Sequence, residues 1–155
     1  MEKTNAMRLL DRKKIPYCVH SYEGVISGPD VAAALGQDPG QVFKTLVTVG
    51  KTGAHYVFML PVCQELDLKK AAAAVGEKSI SMLPQKALFP LTGYVHGGCS
   101  PLGMKKSFPT VIHHTALLCE TIFFSAGRIG LQIQASAKSL QSLISCRSAD
   151  ITLQT

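Results

Sequence analysis

The stretch from Asp38 to Leu60 constrains the fold more than any other. Asp38-Pro39-Gly40-Gln41 is a compact helix start, with an Asp cap, a proline at the first helical position and Gln41 where a capping box wants it. The helix is limited to one turn, because Thr45-Leu46-Val47-Thr48-Val49 is dominated by β-branched side chains that a helix restricts and a strand accommodates. Gly50-Lys51-Thr52-Gly53 turns the chain, and His55 to Leu60 returns as the partner strand. One helical turn feeding a hairpin argues against a strict βαβ series.

The flanking sequence fits that frame. Thr4 caps a helix with Ala6, Met7 and Leu10 on one side and Arg8, Asp11 and Arg12 elsewhere, and Ile15-Pro16 stops it before a strand at 17–22. Ser27-Gly28-Pro29-Asp30 opens a helix that Gly36 closes, and Asp67 opens one that runs through four alanines to Gly76. Ile80 and Met82 mark a short strand, and Pro84 starts a helix that ends near Phe89-Pro90. Further strands are expected at 110–113, 121–125 and 131–134, then a helix over 137–144. With no repeat or linker in 155 residues, the expectation is one mixed α/β (α+β) domain over 1–155.

Five cysteines, odd in number and without a CxxC pair, indicate neither a disulfide framework nor a zinc ribbon, and suit a reducing cytoplasm. No apolar run approaches the ~20 residues of a membrane span. A formal net charge of +6 leans towards a polyanionic partner. Thirteen of the sixteen Lys and Arg residues precede Ser107, against eight of the ten acids. Lys69, Lys70, Lys105 and Lys106 are the candidates for a phosphate-facing surface, although each also suits a solvated face.

Lys44 stands out among residues that could carry chemistry. It lies between Phe43 and Thr45-Leu46-Val47, where an ammonium costs free energy unless it faces a cleft or snorkels to the surface. Gly97-Gly98-Cys99-Ser100-Pro101-Leu102-Gly103 can bring backbone amides close to a ligand or simply form a tight bend, and it matches neither a phosphate loop nor a dinucleotide fingerprint. Ser125, before Ala126-Gly127-Arg128-Ile129-Gly130, has no GxSxG elbow around it. His113 and His114 are adjacent, so on a strand they would point to opposite faces, and no metal site is expected.

The order of these features is more distinctive than any one of them. Lys13-Lys14-Ile15-Pro16-Tyr17, His20-Ser21-Tyr22, Asp38 to Leu46, Leu66-Asp67-Leu68-Lys69-Lys70-Ala71-Ala72, Thr92-Gly93-Tyr94, Gly97 to Gly103 and Ser125-Ala126-Gly127-Arg128 follow one another. Together they resemble the YbaK and prolyl-tRNA-synthetase editing-domain family, over Ala6 to Ile151. The resemblance implies a mixed, mostly antiparallel curved sheet wrapped towards a barrel, with helices outside. It implies a trans-editing aminoacyl-tRNA deacylase that removes a small amino acid, Cys or Ala, from mischarged tRNA, preferentially tRNA(Pro), with prolyl-tRNA synthetase as a further partner. By motif, Lys44 is the catalytic or substrate-orienting lysine, and Tyr22, Thr45, Gly98, Ser125 and Gln132 line the substrate pocket. The family uses no metal, no cofactor and no protein nucleophile; in Cys-specific members the substrate's own thiol attacks its ester. An aminoacyl ester is already activated, so positioning and charge stabilisation suffice.

This chain departs from the pattern where the family commonly has glycine, arginine and aspartate and it has Ala126, Ile129 and Gln132. The loop between Tyr22 and Val31 is also shorter than usual. The competing readings are a non-catalytic tRNA- or synthetase-binding protein that kept the fold, and a hydrolase of another activated ester.

Overall fold

The computed structural model describes residues 2–24 and 27–153. All but one of the described α-helices start where a side chain satisfies an otherwise free amide. Thr4 accepts from the Met7 amide at the head of α1 (Asn5–Arg12), and Ser27 from Asp30 at α2 (Gly28–Leu35). Asp67 accepts from Lys69 and Lys70 at α3 (Leu68–Val75). The helix α4 (Gln85–Thr92) begins behind Pro84 without a side-chain cap, and Ser136 caps α5 (Ala137–Leu143). The turn expected after Asp38 is a single 3₁₀ turn, Pro39–Gln41, which runs into a strand.

The strands are β1 (Cys18–Ser21), β2 (Phe43–Gly50), β3 (His55–Pro61), β4 (Ile80–Met82), β5 (Thr110–His113), β6 (Ile122–Ser125), β7 (Leu131–Ala135) and β8 (Cys146–Ala149). They form one sheet in the order β1-β7-β6 and another in the order β4-β2-β3-β5-β8. Pairing is antiparallel except that β5 lies parallel to both β3 and β8. A parallel bridge between Val42 and Phe123 brings β2 beside β6, so the two sheets meet edge to edge and curve around a common interior.

That interior holds Phe43, Met59, Ile112, Phe124 and Ile133, closed at one end by Met7 and Leu10 of α1. Each such side chain contributes roughly 1.5–3 kcal/mol by leaving water. Period-two alternation puts the neighbouring residues on the outer face. There Phe58, Leu60 and Val111 pack under α3, while Val42, Val62 and Phe123 pack with Ala32 of α2. The result is the barrel-like mixed fold expected, built from two sheets.

Four local details differ from the sequence expectation. β2 starts at Phe43, directly after the 3₁₀ turn. α4 continues through Pro90 to Thr92, because Thr92 Oγ1 donates to the Leu88 carbonyl and the Gly93 amide bonds to Phe89, supporting a last turn that proline cannot complete. β8 carries no β-branched residue and has its place from pairing with β5 at the sheet edge. His114–Leu118 forms a 3₁₀-helix directly after β5.

Candidate active site

Lys44 interrupts an apolar row. Along the outer face of β2, Val42 belongs to the cluster under α2 and Leu46 packs against the cluster under α3, with Lys44 between them. Apolar neighbours strip water from the ammonium, and this burial holds its pKa below the ordinary lysine value; Glu65 and Cys63 nearby oppose the shift. The Lys44 side chain makes no ion pair and no hydrogen bond among the described residues. It is a half-buried cation with unused donors, as a group that must meet a developing negative charge requires.

The pairing register supplies its neighbours. The Val42–Phe123 bridge is parallel, and counting two residues on from it along each strand puts Lys44 and Ser125 on the same outer face. Ser125 pairs with Gln132, and Gln132 pairs with His20, so Ser125, Gln132 and His20 form one cross-strand row. Ser125 Oγ accepts from the Gly127 amide at 3.1 Å, which shapes the turn after β6. Gln132 is 6% exposed and its Oε1 has no partner among the described residues. An orphaned buried acceptor costs about 1–3 kcal/mol, and a ligand donor in this row would relieve that cost.

Tyr22 follows β1, where its amide donates to the Gly130 carbonyl at 3.0 Å, at the edge of the same face. The loop after it includes Val25 and Ile26, so its expected shortness lies partly outside the described residues. Thr45 is the exception among the sequence candidates. It pairs with Met59 and faces the interior, on the opposite side of β2 from Lys44, with a buried hydroxyl that has no partner among the described residues.

Gly98 is buried against the turn that follows Ser125. A Cβ there would meet the Ile129 nitrogen at 2.9 Å and the Arg128 carbonyl carbon at 3.2 Å. Its own amide is already committed to the Val95 carbonyl at 2.9 Å. The glycine is therefore required by loop-on-loop packing, and its N–H is not a free donor for a substrate carbonyl. In the same loop, burial pushes the Cys99 thiol up to about 12, so it supplies no thiolate at neutral pH.

His20 was quoted in the sequence only as part of a motif, yet it stands in the row with Gln132 and Ser125. Its Nε2 lies 2.9 Å from Gln134 Oε1, and Gln134 Nε2 donates to Thr121 Oγ1, which orients the amide and with it the ring. The alternation of residues 18–21 is the signal that could have recruited it. None of the described hydrogen bonds links Ser125 to a histidine, so no triad is assembled.

Two expectations need correction. His113 and His114 do not point apart: β5 ends at His113 and the 3₁₀-helix starts at His114, so strand alternation stops between them and the rings lie 4.5 Å apart. With Asp150 they offer three donor atoms within 4.8 Å of one another. The set suits a cation poorly, since Lys70 Nζ holds the Asp150 carboxylate at 3.0 Å and His113 Nδ1 accepts from the Ile151 amide at 3.3 Å. Lys70 is likewise not a free phosphate contact, as it also donates to the Thr152 carbonyl. Lys105 lies over the Phe89 ring.

Comparison with known proteins bears on the family and the fold. Residues 24–143 match the family described as the aminoacyl-tRNA editing domain. The chain belongs to that family. It is 45% identical over 154 residues to the Enterococcus faecalis (strain ATCC 700802 / V583) protein named "Putative Cys-tRNA(Pro)/Cys-tRNA(Cys) deacylase EbsC", covering 97% of this chain and 94% of that one. Two solved structures share the fold. One, titled as a putative trans-editing enzyme for prolyl tRNA synthetase, superimposes with a TM-score of 0.85 at 24% identity over 99% of this chain and 100% of that one. The other, a hypothetical protein, gives 0.88 at 18% identity over 97% and 100%. Among the described residues no helix is long and apolar enough to cross a membrane.

Proposed function

We propose that this protein is a trans-editing aminoacyl-tRNA deacylase that hydrolyses the ester between a small amino acid, Cys or Ala, and the 3′ end of a mischarged tRNA, preferentially tRNA(Pro). The observation that carries the reading is Lys44, a half-buried cation whose side chain has no partner among the described residues, on the same outer face as the Ser125–Gln132 pair in a chain of the editing-domain family. The name of the Enterococcus faecalis relative supports the choice of a Cys-charged substrate.

In this reading the Lys44 ammonium stabilises the oxyanion that develops on the ester carbonyl, a role worth about 10²–10³ in rate for a single positioned donor. Gln132 Oε1 accepts from the substrate's α-ammonium, and the Ser125 hydroxyl, whose oxygen accepts from Gly127, donates its proton to the aminoacyl moiety. Tyr22 borders the pocket, and Gly98 shapes it by holding the two loops together. Thr45 supports the strand from the inner side, and its side chain makes no substrate contact. The attacking group is the substrate's own thiol for Cys and a water for Ala. No metal or cofactor enters, and prolyl-tRNA synthetase is the partner that would present tRNA(Pro).

A deacylation panel across Cys-, Ala-, Ser- and Pro-charged tRNAs tests the proposal. Turnover of Cys- or Ala-tRNA(Pro) with Pro-tRNA(Pro) spared is the expected result. No turnover on any of them would favour a binding protein that kept the fold. Turnover of short aminoacyl esters alone would favour a small-molecule hydrolase.

A further inference from the structure

An open cleft of about 400 Å³ lies apart from the Lys44 row, between α1, the segment after Gly103 and the junction of α5 with β8. The outward stripe of α1 forms one wall. Asn5, Arg8, Leu9 and Arg12 follow one another at helical spacing, while Ala6, Met7 and Leu10 turn to the core. Lys106 and Ser107 line the facing side, with Phe108 among the apolar residues between.

Three cations line this cleft and no carboxylate does. The acid of α1, Asp11, is engaged by Lys3 and by the Tyr17 hydroxyl instead. Arg8 donates to the neutral Asn5 Oδ1 at 3.0 Å, which holds its guanidinium without neutralising it. Arg12 and Lys106 have no ion pair among the described residues. Two arginines one turn apart offer planar forks that match phosphate geometry, and an aromatic ring beside them suits the sugar and base of a nucleotide chain.

The cleft is tied to the candidate active site through one segment. At one end Gly98 packs on Arg128–Ile129, next to Ser125; further on Gly103 approaches the backbone of Asn5 and Ala6; at the other end stand Lys106 and Phe108. A molecule whose end lies in the Lys44 row and whose body carries a regular series of phosphates fits both places.

We propose that this cleft binds backbone phosphates of the tRNA substrate through Arg8, Arg12 and Lys106. The inference rests on tRNA being the substrate. It replaces the lysine runs at Lys69-Lys70 and Lys105 as the phosphate platform, since Lys70 and Lys105 are otherwise engaged.

The test is the salt dependence of binding of uncharged tRNA(Pro) to the full chain, read by fluorescence anisotropy. Wild type is compared with Arg8→Gln/Arg12→Gln and with the charge-matched control Lys69→Gln/Lys78→Gln. All four residues are exposed, and circular dichroism verifies that each variant is folded. Each lost phosphate contact flattens the log–log slope by about 0.7–0.9, so the arginine variant should lose roughly 1.4–1.8 and the control little. KM for mischarged tRNA should rise with kcat nearly unchanged, because these contacts hold ground state and transition state alike. An arginine variant with the slope and KM of the control overturns the cleft and leaves the deacylase reading standing. A flattened slope in a protein that deacylates no charged tRNA supports the cleft and removes the deacylase reading.

Discussion

Adding a single methyl group at Gly98 tests whether the glycine-rich loop is built for packing or for ligand approach. The virtual Cβ lies 2.9 Å from the Ile129 nitrogen and 3.2–3.3 Å from two Arg128 backbone atoms, closer than a methyl group tolerates. Backbone cannot rotate aside as a side chain can, so the two loops must separate or the strand ends must shift. Overpacking of this kind costs typically 1–3 kcal/mol. For a chain of 155 residues, each kcal/mol lowers Tm by about 2–4 °C, so Gly98→Ala should melt roughly 2–12 °C below wild type. Trimming the neighbour should not help, because the clash is with main chain: Gly98→Ala/Ile129→Ala should melt no higher than Gly98→Ala. Gly97 is the control, since its virtual Cβ meets only the Ile129 side chain at 3.7 Å, and its φ of +85° confines Gly97→Ala to the left-handed penalty of about 1–2 kcal/mol. Differential scanning calorimetry reads all four proteins. A Gly98→Ala chain that melts with wild type would refute the packing argument.

Further outcomes follow from the same geometry. Gln132→Met removes a buried acceptor that has no partner among the described residues, so it should leave Tm unchanged or raise it while lowering kcat/KM for charged tRNA; a destabilised, fully active variant would contradict this. Burial lowers the Lys44 pKa, so its ammonium loses the proton at a lower pH than an exposed lysine. Enzymatic deacylation, corrected for spontaneous hydrolysis, should therefore decline as pH rises through a value below 10.5, and Lys44→Arg should not show that limb. EDTA should leave turnover unchanged, because Lys70 already neutralises Asp150 in the described trio of donors; inhibition restored by zinc would oppose it.

Local chemistry made much of this architecture legible. Thr4, Ser27 and Asp67 each cap the helix that their position announces, and Gly36 and Gly76 end theirs in the left-handed conformation. β8 was not legible, because Cys146-Arg147-Ser148-Ala149 has no strand signal of its own and depends on β5. The row of His20, Gln132 and Ser125 joins residues more than a hundred positions apart, which only the register of β1, β7 and β6 reveals. The apolar setting of Lys44 singled it out but left a cleft-facing and a snorkelling ammonium equally open, and its candidate role came from the motif Asp38 to Leu46. That Gly98 meets Arg128–Ile129, and that His114 escapes strand alternation, required the three-dimensional path of the loops.

The most direct measurement is single-turnover deacylation of Cys-tRNA(Pro) by Lys44→Met beside wild type, with Tm recorded on the same samples. Methionine keeps much of the apolar stem between Val42 and Leu46 and removes the charge together with its N–H donors. The depressed pKa means that charged Lys44 opposes folding at neutral pH, and this penalty lessens only as pH climbs towards 10.5. The variant should thus be at least as stable as wild type and slower by about 10²–10³, the weight of one oxyanion donor. A Lys44→Met protein that is folded and deacylates at the wild-type rate would contradict the account at its centre.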